Sequence, residues 1–516
     1  MENINDTEPI LSFGEREFSF IEVPDKVDCT ESYLVKENSK TYKLFFTRLP
    51  ITSINTDNEI IDEPKVKGSF LYKSETEKIS ANIGIEIRGS FSQGFPKKTY
   101  DIEVREKNTN TNIKGSTENQ IKIGNLRLDD DWVLDALYNE PLRIRSYVSH
   151  KLWLDFHKLY YSKKEPYAKA GADVEYTELF INGKYKGIYY FSEQIDRKLL
   201  KLKKYNNKLK GELYKTVNYT DLVSFIKISS FNNNYYYWDG IEYKYPKPDV
   251  FMDWNNIHNF YSMVINHNYS LEHRLPKQIN IKNLVDYYIF INILRAYDNH
   301  TKNVYIAKYN TNEPYFFVPW DLDTSFGINH KGDNYPSTEE IITNILFDKC
   351  IKYNVSDFNQ LVKERWQNTK TNIFDKENLK KRFNNAYNIL TSNNVYEREK
   401  LVFPNYKFDN ESLQYIYNWI DGRLDFIDSH FNTLNVRENE DPNKEYTFYP
   451  NPAKNFIIVH NECKDQQSKV EILDITGKVL LKDYIASSKM ISTENLQSGI
   501  YFIKINKETS KLIINK

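Results

Sequence analysis

The sequence predicts an α+β protein in which a β-rich region comes first, an α-rich region follows and a small all-β module ends the chain. Between residues 49 and 105, segments such as KGSFLYK and KKTYDIEVRE alternate apolar and polar residues, which is typical of an antiparallel sheet with one solvated face. Amphipathic helical spacing dominates from residue 281 to about 435. Beyond it, short apolar runs separated by turn residues predict a β-sandwich.

The composition is that of a globular protein without a strong overall charge. Lys and Arg number 70 against 71 Asp and Glu, so the net charge of -1 predicts no recruitment of nucleic acid. No apolar run approaches the roughly 20 residues that a membrane-spanning helix needs. The N-terminal stretch MENINDTEPILSF lacks the basic start and apolar core of a signal peptide.

Changes in composition along the chain predict four segments. Residues 1–45 form a polar segment with short strand-like runs and no readable role. Residues 46–435 form the main domain, and the charged, proline-containing residues 436–445 are the best linker candidate. The β-sandwich then occupies residues 446–516.

Two adjacent lysines follow a glycine-bearing loop, GSFSQGFPKK, in the β-rich region. Gly lacks a Cβ, so this loop can approach a ligand closely. Strand alternation puts Lys98 on the face of Tyr100 and Lys97 on the face of Thr99, so one lysine can point into a cleft. The competing interpretation is a solvated lysine at the end of a strand.

The segment Asn139-Glu140-Pro141 predicts the start of a helix, because Pro is tolerated in the first turn and a capping side chain precedes it. Glu140 then has two interpretations. It is the ion-pair partner of a phosphate-binding lysine, or it is a first-turn carboxylate favoured by the helix dipole.

The clearest local signal is Asn182-Gly183 between two aromatic-rich runs, which predicts a two-residue type I′ hairpin. Gly187 in the second strand indicates close approach of backbone or ligand. Glu193 ends that strand, at a plausible hinge to a second lobe.

Residues 297–327 carry the main candidate site, in a loop after the apolar helix IKNLVDYYIFINILRAY. Asp298 and Asn303 stand five residues apart, and Asp321 and Asp323 share one face of an extended segment. A carboxylate for an acceptor hydroxyl and oxygen ligands for Mg²⁺ suit phosphoryl transfer. A structural calcium site, or simple capping of the turn that follows, stays open as an alternative.

Several blocks in the right order resemble the CotH family of spore-coat-type kinases: IEIRGSFSQGFPKKTYDIEV, NEPLRIRSYVSHKLW, ELFINGKYKGIYYFSEQID and KNVYIAKYNTNEPYFFVPWDLDTSFG. The resemblance implies a bilobal protein-kinase-like fold with a β-rich N-lobe and an α-rich C-lobe. It also implies ATP, Mg²⁺ or Mn²⁺ as cofactors and a protein Ser or Thr hydroxyl as acceptor.

The same resemblance assigns roles to the candidate residues. Asp298 would be the catalytic base and Asp321 a metal ligand, assisted by Asn303 and Asp323. Nucleotide contacts are expected from residues of the earlier blocks: Lys97 or Lys98, Arg88, Glu140 and Glu193. The chain departs from the family pattern at Ser90, where Asn is frequent, and at Glu140, where Asp is frequent.

The C-terminal module resembles the type A sorting domain of the type IX secretion system of Bacteroidetes through YPNPA, DITGK and SGIYFIKI. This resemblance implies that the type IX machinery is a partner and that the protein is secreted or lies on the outer cell surface, usually after an N-terminal signal peptide. An ordinary β-sandwich used for binding is the alternative.

Two further functions stay open beside the kinase. A surface adhesin or structural coat protein could keep the kinase-like fold without turnover, and a calcium-stabilised carbohydrate-binding protein would suit surface export and the many tyrosines. The four oxygen ligands, Asp298, Asn303, Asp321 and Asp323, favour the kinase, because a silent protein has no need to keep them all.

Overall fold

The chain divides into two units, Met1–Val436 and Arg437–Lys516. The computed structural model describes residues 10–105, 120–267, 271–406, 408, 411–434, 446–461, 468–485, 488–506 and 508–516. The predicted linker, residues 436–445, lies outside these ranges. The domain limits inferred from composition therefore stay predictions.

An antiparallel sheet opens the first unit. Its strands pair in chain order and are β1 (Ile10–Phe13), β2 (Arg16–Phe20), β3 (Ser32–Glu37) and β4 (Lys40–Phe45). Phe18, Phe20 and Val35 form its small buried core.

A barrel follows this sheet. The strands of its region are β5 (Ile51–Asn55), β6 (Val66–Lys73), β7 (Lys78–Arg88), β8 (Thr99–Arg105), β9 (Ile121–Lys122), β10 (Leu128–Asp129), β11 (Asp131–Asp135), β12 (Val174–Ile181) and β13 (Lys184–Glu193). Seven of these described strands close into the barrel, in the order β11-β13-β12-β5-β6-β7-β8. β9 and β10 form a separate small ladder. Ile54, Ile85, Ile102, Trp132 and Phe191 belong to the barrel core.

The closed barrel differs from the predicted open sheet with one solvated face. Alternation correctly predicts the antiparallel neighbours β5 to β8. Closure also needs β5 to pair in parallel with β12, with Ile51 opposite Glu178, and β8 to pair with β11. These partners are distant in sequence, so no local pattern reports them.

The predicted hairpin is confirmed. β12 ends at Ile181 and β13 begins at Lys184, and the two residues between them have the positive φ values that a type I′ turn requires, 50° at Asn182 and 71° at Gly183. Glu193 ends β13, as the sequence predicts.

The predicted helix start at Asn139-Glu140-Pro141 is wrong by several residues, since α1 spans Arg145–Phe156. Arg143 has φ 59°, which interrupts a right-handed helix. The Glu140 carboxylate instead accepts from the backbone N–H groups of Leu142, Ile144 and Arg145, so it satisfies donors at the start of α1 from outside the helix.

The α-rich region consists of helices and one five-stranded sheet. The helices after α1 are α2 (Arg197–Leu200), α3 (Asn255–Asn266), α4 (Leu271–Gln278), α5 (Ile281–Leu294), α6 (Ile345–Lys352), α7 (Phe358–Thr369), α8 (Lys376–Thr391), α9 (Val395–Val402) and α10 (Glu411–Thr433). The sheet, ordered β15-β16-β14-β17-β18, comprises β14 (Glu212–Thr216), β15 (Tyr237–Trp238), β16 (Ile241–Tyr245), β17 (Val304–Lys308) and β18 (Tyr315–Pro319).

Helix α5 is the centre of this region. It is buried from Asn283 to Leu294 and packs against α7 and β18. The near absence of polar positions in its sequence correctly predicts this burial. No helix in the described ranges is both long and apolar enough to cross a membrane.

The second unit is all-β. Its strands are β19 (Tyr446–Tyr449), β20 (Phe456–Asn461), β21 (Ser468–Leu473), β22 (Val479–Ile485), β23 (Ser488–Ser492), β24 (Gly499–Ile505) and β25 (Glu508–Ile514). They form two sheets, β19-β20-β23 and β22-β21-β24-β25. Ile457 and Val459 of the first sheet share one buried cluster with Ile472 and Ile503 of the second, which is the arrangement of a sandwich.

Candidate active site

Asp298 lies in a loop that begins where the buried helix α5 ends. Arg295 terminates α5 with φ 50°, and a short 3₁₀ helix, Tyr297–His300, then carries Asp298. The Tyr219 hydroxyl donates to Asp298 Oδ1, and Lys302 Nζ lies 3.8 Å from Oδ2. The Asp298 side chain keeps 18% of its surface exposed, so an acceptor can reach this carboxylate.

Asn299 fixes the position of this loop relative to Asp321. Asn299 is fully buried, and its Nδ2 donates to the carbonyl oxygens of Asn303, at 3.1 Å, and Trp320, at 2.7 Å. Asp298 adjoins Asn299 and Asp321 adjoins Trp320. One side-chain amide therefore sets the spacing of the two aspartates.

Asn303 and Asp321 meet at the open end of the β17–β18 hairpin. The Trp320 N–H donates to the Asn303 carbonyl at 3.0 Å, and Asn303 Nδ2 donates to Asp321 Oδ2 at 3.2 Å. Both residues have left-handed backbones, with φ 58° and 56°. Asn and Asp tolerate this conformation better than most residues, and such positions cluster at functional sites.

The rim of the barrel supplies the opposite side of the site. Arg88 ends β7 and Asp135 ends β11, at the same end of the barrel. The Arg88 guanidinium lies 3.2 Å from Asp101 and 6.0 Å from the centre of the Trp320 ring. Just beyond β11, Asn139 Nδ2 donates to Asp323 Oδ2 at 2.6 Å.

Four carboxylates influence one another here. Desolvation raises the pKa of Asp321, the charge of Lys215 opposes that shift and the charge of Asp298 adds to it, although Asp321 as a whole residue is exposed. Desolvation and then the charge of Asp321 raise the pKa of Asp323 well above its usual range. Desolvation likewise raises the pKa of Asp135 to about 6. The cluster therefore favours an added cation.

Lys97 is buried and paired with a residue that sequence analysis did not single out. Its Nζ lies 2.7 Å from Glu399 Oε1 and donates to the Ile188 carbonyl at 2.5 Å. Glu399 is on α9 and also faces Arg143, at 3.1 Å. Burial lowers the pKa of Lys97 to about 7, against the opposing effect of Glu399. The positive charge of Lys97 also acts on Asp135, where it partly offsets the rise in pKa.

The remaining candidates bind other protein groups. Lys98 Nζ donates to the Gln93 carbonyl at 2.5 Å, within the glycine-bearing loop. Glu140 pairs with Arg145 at 2.6 Å, and it precedes α1, so it is not the first-turn carboxylate of that helix. Glu193 is buried and pairs with Lys169 at 2.6 Å. Their roles toward a nucleotide stay predictions.

Several residues of this site lie outside the motifs that the sequence presents as candidates: Asp135, Asn139, Lys215, Tyr219 and Asn299. Asp135 is the last residue of the strand DWVLD, and Asn139 lies four residues beyond it, in the segment that leads to α1. Lys215 interrupts the apolar pattern of GELYKT. Tyr219 carries no local signal, since the tyrosines in the sequence number 40.

The protein side chains alone supply only part of the oxygen ligands that a Mg²⁺ ion needs. The rest would come from substrate phosphates or water. Among the described residues, no group of three or more His, Cys, Asp or Glu side chains is arranged to hold a metal. Asp321, Asp323 and Asn303 still offer oxygen atoms, and Mg²⁺ usually binds one or two carboxylates together with substrate phosphates. Within the same ranges, the buried oxygens Asn299 Oδ1 and Thr324 Oγ1 have no hydrogen-bond partner, which leaves capacity for water or an ion.

Two parts of the chain match protein-family models. Residues 85–427 match the family described as CotH kinase protein, and residues 447–516 match the secretion system C-terminal sorting domain. The first match covers more than half of the chain and includes every predicted site residue. Among curated proteins, none matches the chain.

Proposed function

Because the chain belongs to the CotH kinase protein family, we propose that it transfers the γ-phosphate of ATP to Ser or Thr hydroxyls of a protein substrate, with Mg²⁺ or Mn²⁺. The observation that carries this proposal is the convergence of Asp298 and Asp321 through Asn299. Phosphoryl transfer needs a base at the acceptor and metal-binding oxygens at the phosphates, a few ångströms apart.

Asp298 is proposed as the base. Its partly exposed carboxylate accepts a hydrogen bond from a hydroxyl, that of Tyr219, as it would from an acceptor Ser or Thr. In the transfer, the acceptor oxygen forms a bond to the γ-phosphorus, the bond to the ADP oxygen breaks, and the acceptor proton passes to Asp298.

Asp321, Asp323 and Asn303 would hold the metal. When bound there, Mg²⁺ or Mn²⁺ would supply the positive charge that neutralises the nucleotide phosphates. The raised pKa values of Asp321 and Asp323 support this role, because a divalent cation would favour their ionised forms. Asn139 holds the Asp323 carboxylate in place through its 2.6 Å hydrogen bond.

The barrel and the α-rich region would serve as the two lobes of a kinase-like fold. In support, Arg88 and Asp135 at the barrel rim interact electrostatically with Asp321 of the α-rich region. The buried Lys97–Glu399 pair would brace the barrel against α9.

The sorting domain at residues 447–516 indicates export through the type IX secretion machinery, to the cell surface or the medium. The substrate of the proposed kinase is therefore expected to be an exported or surface protein. The reason is that an exported kinase meets only proteins that are exported or exposed at the cell surface.

The test is transfer of labelled γ-phosphate from ATP to a generic acceptor protein, with Mg²⁺ and with Mn²⁺. Wild-type protein should transfer label, and Asp298→Ala and Asp321→Ala should each reduce the rate by at least about 100-fold. Asp425→Ala is the control, because Asp425 is exposed on α10 and pairs with Lys376 away from the site. Equal transfer by all four proteins would refute the assignment, and absence of transfer by wild type would favour a silent surface protein.

A further inference from the structure

Lys215 lies on β14, beside the acidic cluster but outside every role assigned so far. β14 pairs with β17, and Lys215 is directly opposite Tyr305. The following residue, Thr216, accepts a hydrogen bond from the Asn303 N–H at 3.0 Å. Lys215 is therefore one residue from the strand end that holds Asn303 in position.

The ammonium of Lys215 lies among aromatic rings and other cations. Its Nζ is 5.7 Å from the ring centre of Tyr305 and 5.9 Å from that of Trp320. The Arg88 guanidinium also lies near the Trp320 ring, 6.0 Å from its centre. Trp320 directly precedes Asp321. Two cations, Lys215 and Arg88, thus converge on the ring that precedes the proposed metal ligand.

Within the described residues, Lys215 forms no ion pair with a carboxylate within 4.0 Å, although it is half-buried. Desolvation and then repulsion from Arg88 and Lys244 lower its pKa to about 8, while Asp321 and Glu242 partly offset this. A half-buried cation without a counterion is costly, and an anionic ligand would remove that cost.

Other cations near the site already have partners. Arg88 pairs with Asp101 at 3.2 Å, Lys97 with Glu399 at 2.7 Å, and Lys302 lies 3.8 Å from Asp298. Lys98 donates to a backbone carbonyl. Among these described cations, Lys215 alone has neither an ion pair nor a side-chain hydrogen bond, and it interacts electrostatically with Asp321.

We propose that Lys215 contacts the phosphates of the nucleotide. This proposal rests on the proposed kinase function and deepens it, since it assigns the phosphate contact to β14 and not to the lysine pair Lys97 and Lys98. The chemical class of ligand is a di- or triphosphate, whose oxygens accept charge-assisted hydrogen bonds from an ammonium. Arg88, across the Trp320 ring, would support the same anion.

The experiment compares binding of ATP, ADP and adenosine by calorimetry, each with Mg²⁺, to wild type and to Lys215→Met, Lys215→Arg and Lys244→Met. Lys244 is the matched control, because it lies on the adjacent strand β16, is exposed and pairs with Glu242. Lys215→Met should weaken ATP and ADP by roughly 10-fold or more and leave adenosine unchanged, since it removes a charge-assisted hydrogen bond to phosphate. Lys215→Arg should retain most of the affinity, and Lys244→Met should not weaken binding of ATP or ADP, because Lys244 repels Lys215 and its removal leaves the Lys215 ammonium in place.

The outcomes separate this proposal from the kinase assignment. Wild-type affinity for ATP in a folded Lys215→Met protein, with transfer activity intact, overturns the role of Lys215 and leaves the kinase in place. Equal loss of adenosine and ATP binding shows a structural effect and also overturns it. A wild-type protein that binds neither ATP nor ADP contradicts both proposals. Circular dichroism establishes that each variant is folded.

Discussion

The Tyr219 hydroxyl donates a hydrogen bond to Oδ1 of Asp298, the proposed catalytic base. Tyr219 lies just beyond β14, is 47% exposed, and also has the Lys302 ammonium 5.7 Å from its ring centre. Desolvation and the hydrogen bond to Asp298 raise the pKa of Tyr219, so its hydroxyl stays protonated and remains a donor at neutral pH. An acceptor hydroxyl must share Asp298 with it or displace it.

Tyr219→Phe should therefore lower the KM for a protein acceptor. The lost hydrogen bond is worth about 1 kcal/mol, so a change of roughly five-fold is expected, with nucleotide affinity unchanged. Steady-state kinetics with a varied acceptor measure it. Tyr297→Phe is the control, because Tyr297 is similarly exposed, at 45%, and adjoins Asp298 in sequence. A fall in kcat at constant KM would instead mean that Tyr219 orients the base.

Asn299→Ala should reduce kcat strongly while nucleotide binding persists, because Asn299 sets the distance between Asp298 and Asp321. Loss of a buried donor that serves two carbonyls should also cost about 1–3 kcal/mol of unfolding free energy. Transfer rate, ATP affinity and urea unfolding are measured together. Asn384→Ala, on the exposed face of α8, should change none of them. A wild-type kcat in Asn299→Ala would disprove the positioning role.

Gly187→Ala should destabilise the protein more than Gly183→Ala. Both glycines have positive φ, 98° and 71°, so both substitutions carry backbone strain. A Cβ at position 187 would come within 2.2 Å of Glu399 Oε1, whereas no described atom lies within 4 Å of one at position 183. Displacing Glu399 breaks its buried pair with Lys97, which should add at least about 2 kcal/mol. Equal unfolding free energies would show that Glu399 moves aside without cost.

The unfolding free energy of the metal-free protein should carry a pH-dependent contribution from Asp135. The folded-state pKa of about 6 lies above the ordinary value of 3.8, so the folded protein retains a proton that the unfolded chain has lost. This contribution is fully present below about pH 4 and is lost as the pH rises through about 6, by up to about 3 kcal/mol. The difference between wild type and Asp135→Asn, measured by urea unfolding from pH 4 to 7, isolates it. Parallel curves for the two proteins would contradict the shift, and Asp425→Asn should parallel wild type.

Local pattern predicts local structure well in this chain. Asn182-Gly183 gives its hairpin because a two-residue turn depends on the residues within it. The sequence FNQLVKERWQNT predicts a helix, and α7 spans those residues, because amphipathic spacing reports directly on one buried face. The start of α1 could not be predicted in the same way, since Glu140 reaches the helix from a preceding turn.

Contacts within the site can be predicted from sequence only where a short stretch of chain, such as a hairpin, joins the two residues. Asn303 and Asp321 meet because one hairpin joins them. Lys97 meets Glu399 across 302 positions of sequence, and Asn139 meets Asp323 across 184, so only the packed structure reveals these contacts. Glu140, one candidate partner for a phosphate-binding lysine, pairs with Arg145 instead, and the carboxylate that faces Lys97 is that of Glu399.

The parallel pairing of β5 with β12 has a practical consequence for work on this protein. The family match begins at residue 85, inside β7, whereas β5 and β6 lie before it. A fragment cut at residue 85 would leave the backbone groups of β12 that face β5 unpaired, and would shorten β7 as well. Exposed strand edges of that kind promote aggregation, so a fragment of the first unit that stays in solution should begin upstream of Ile51.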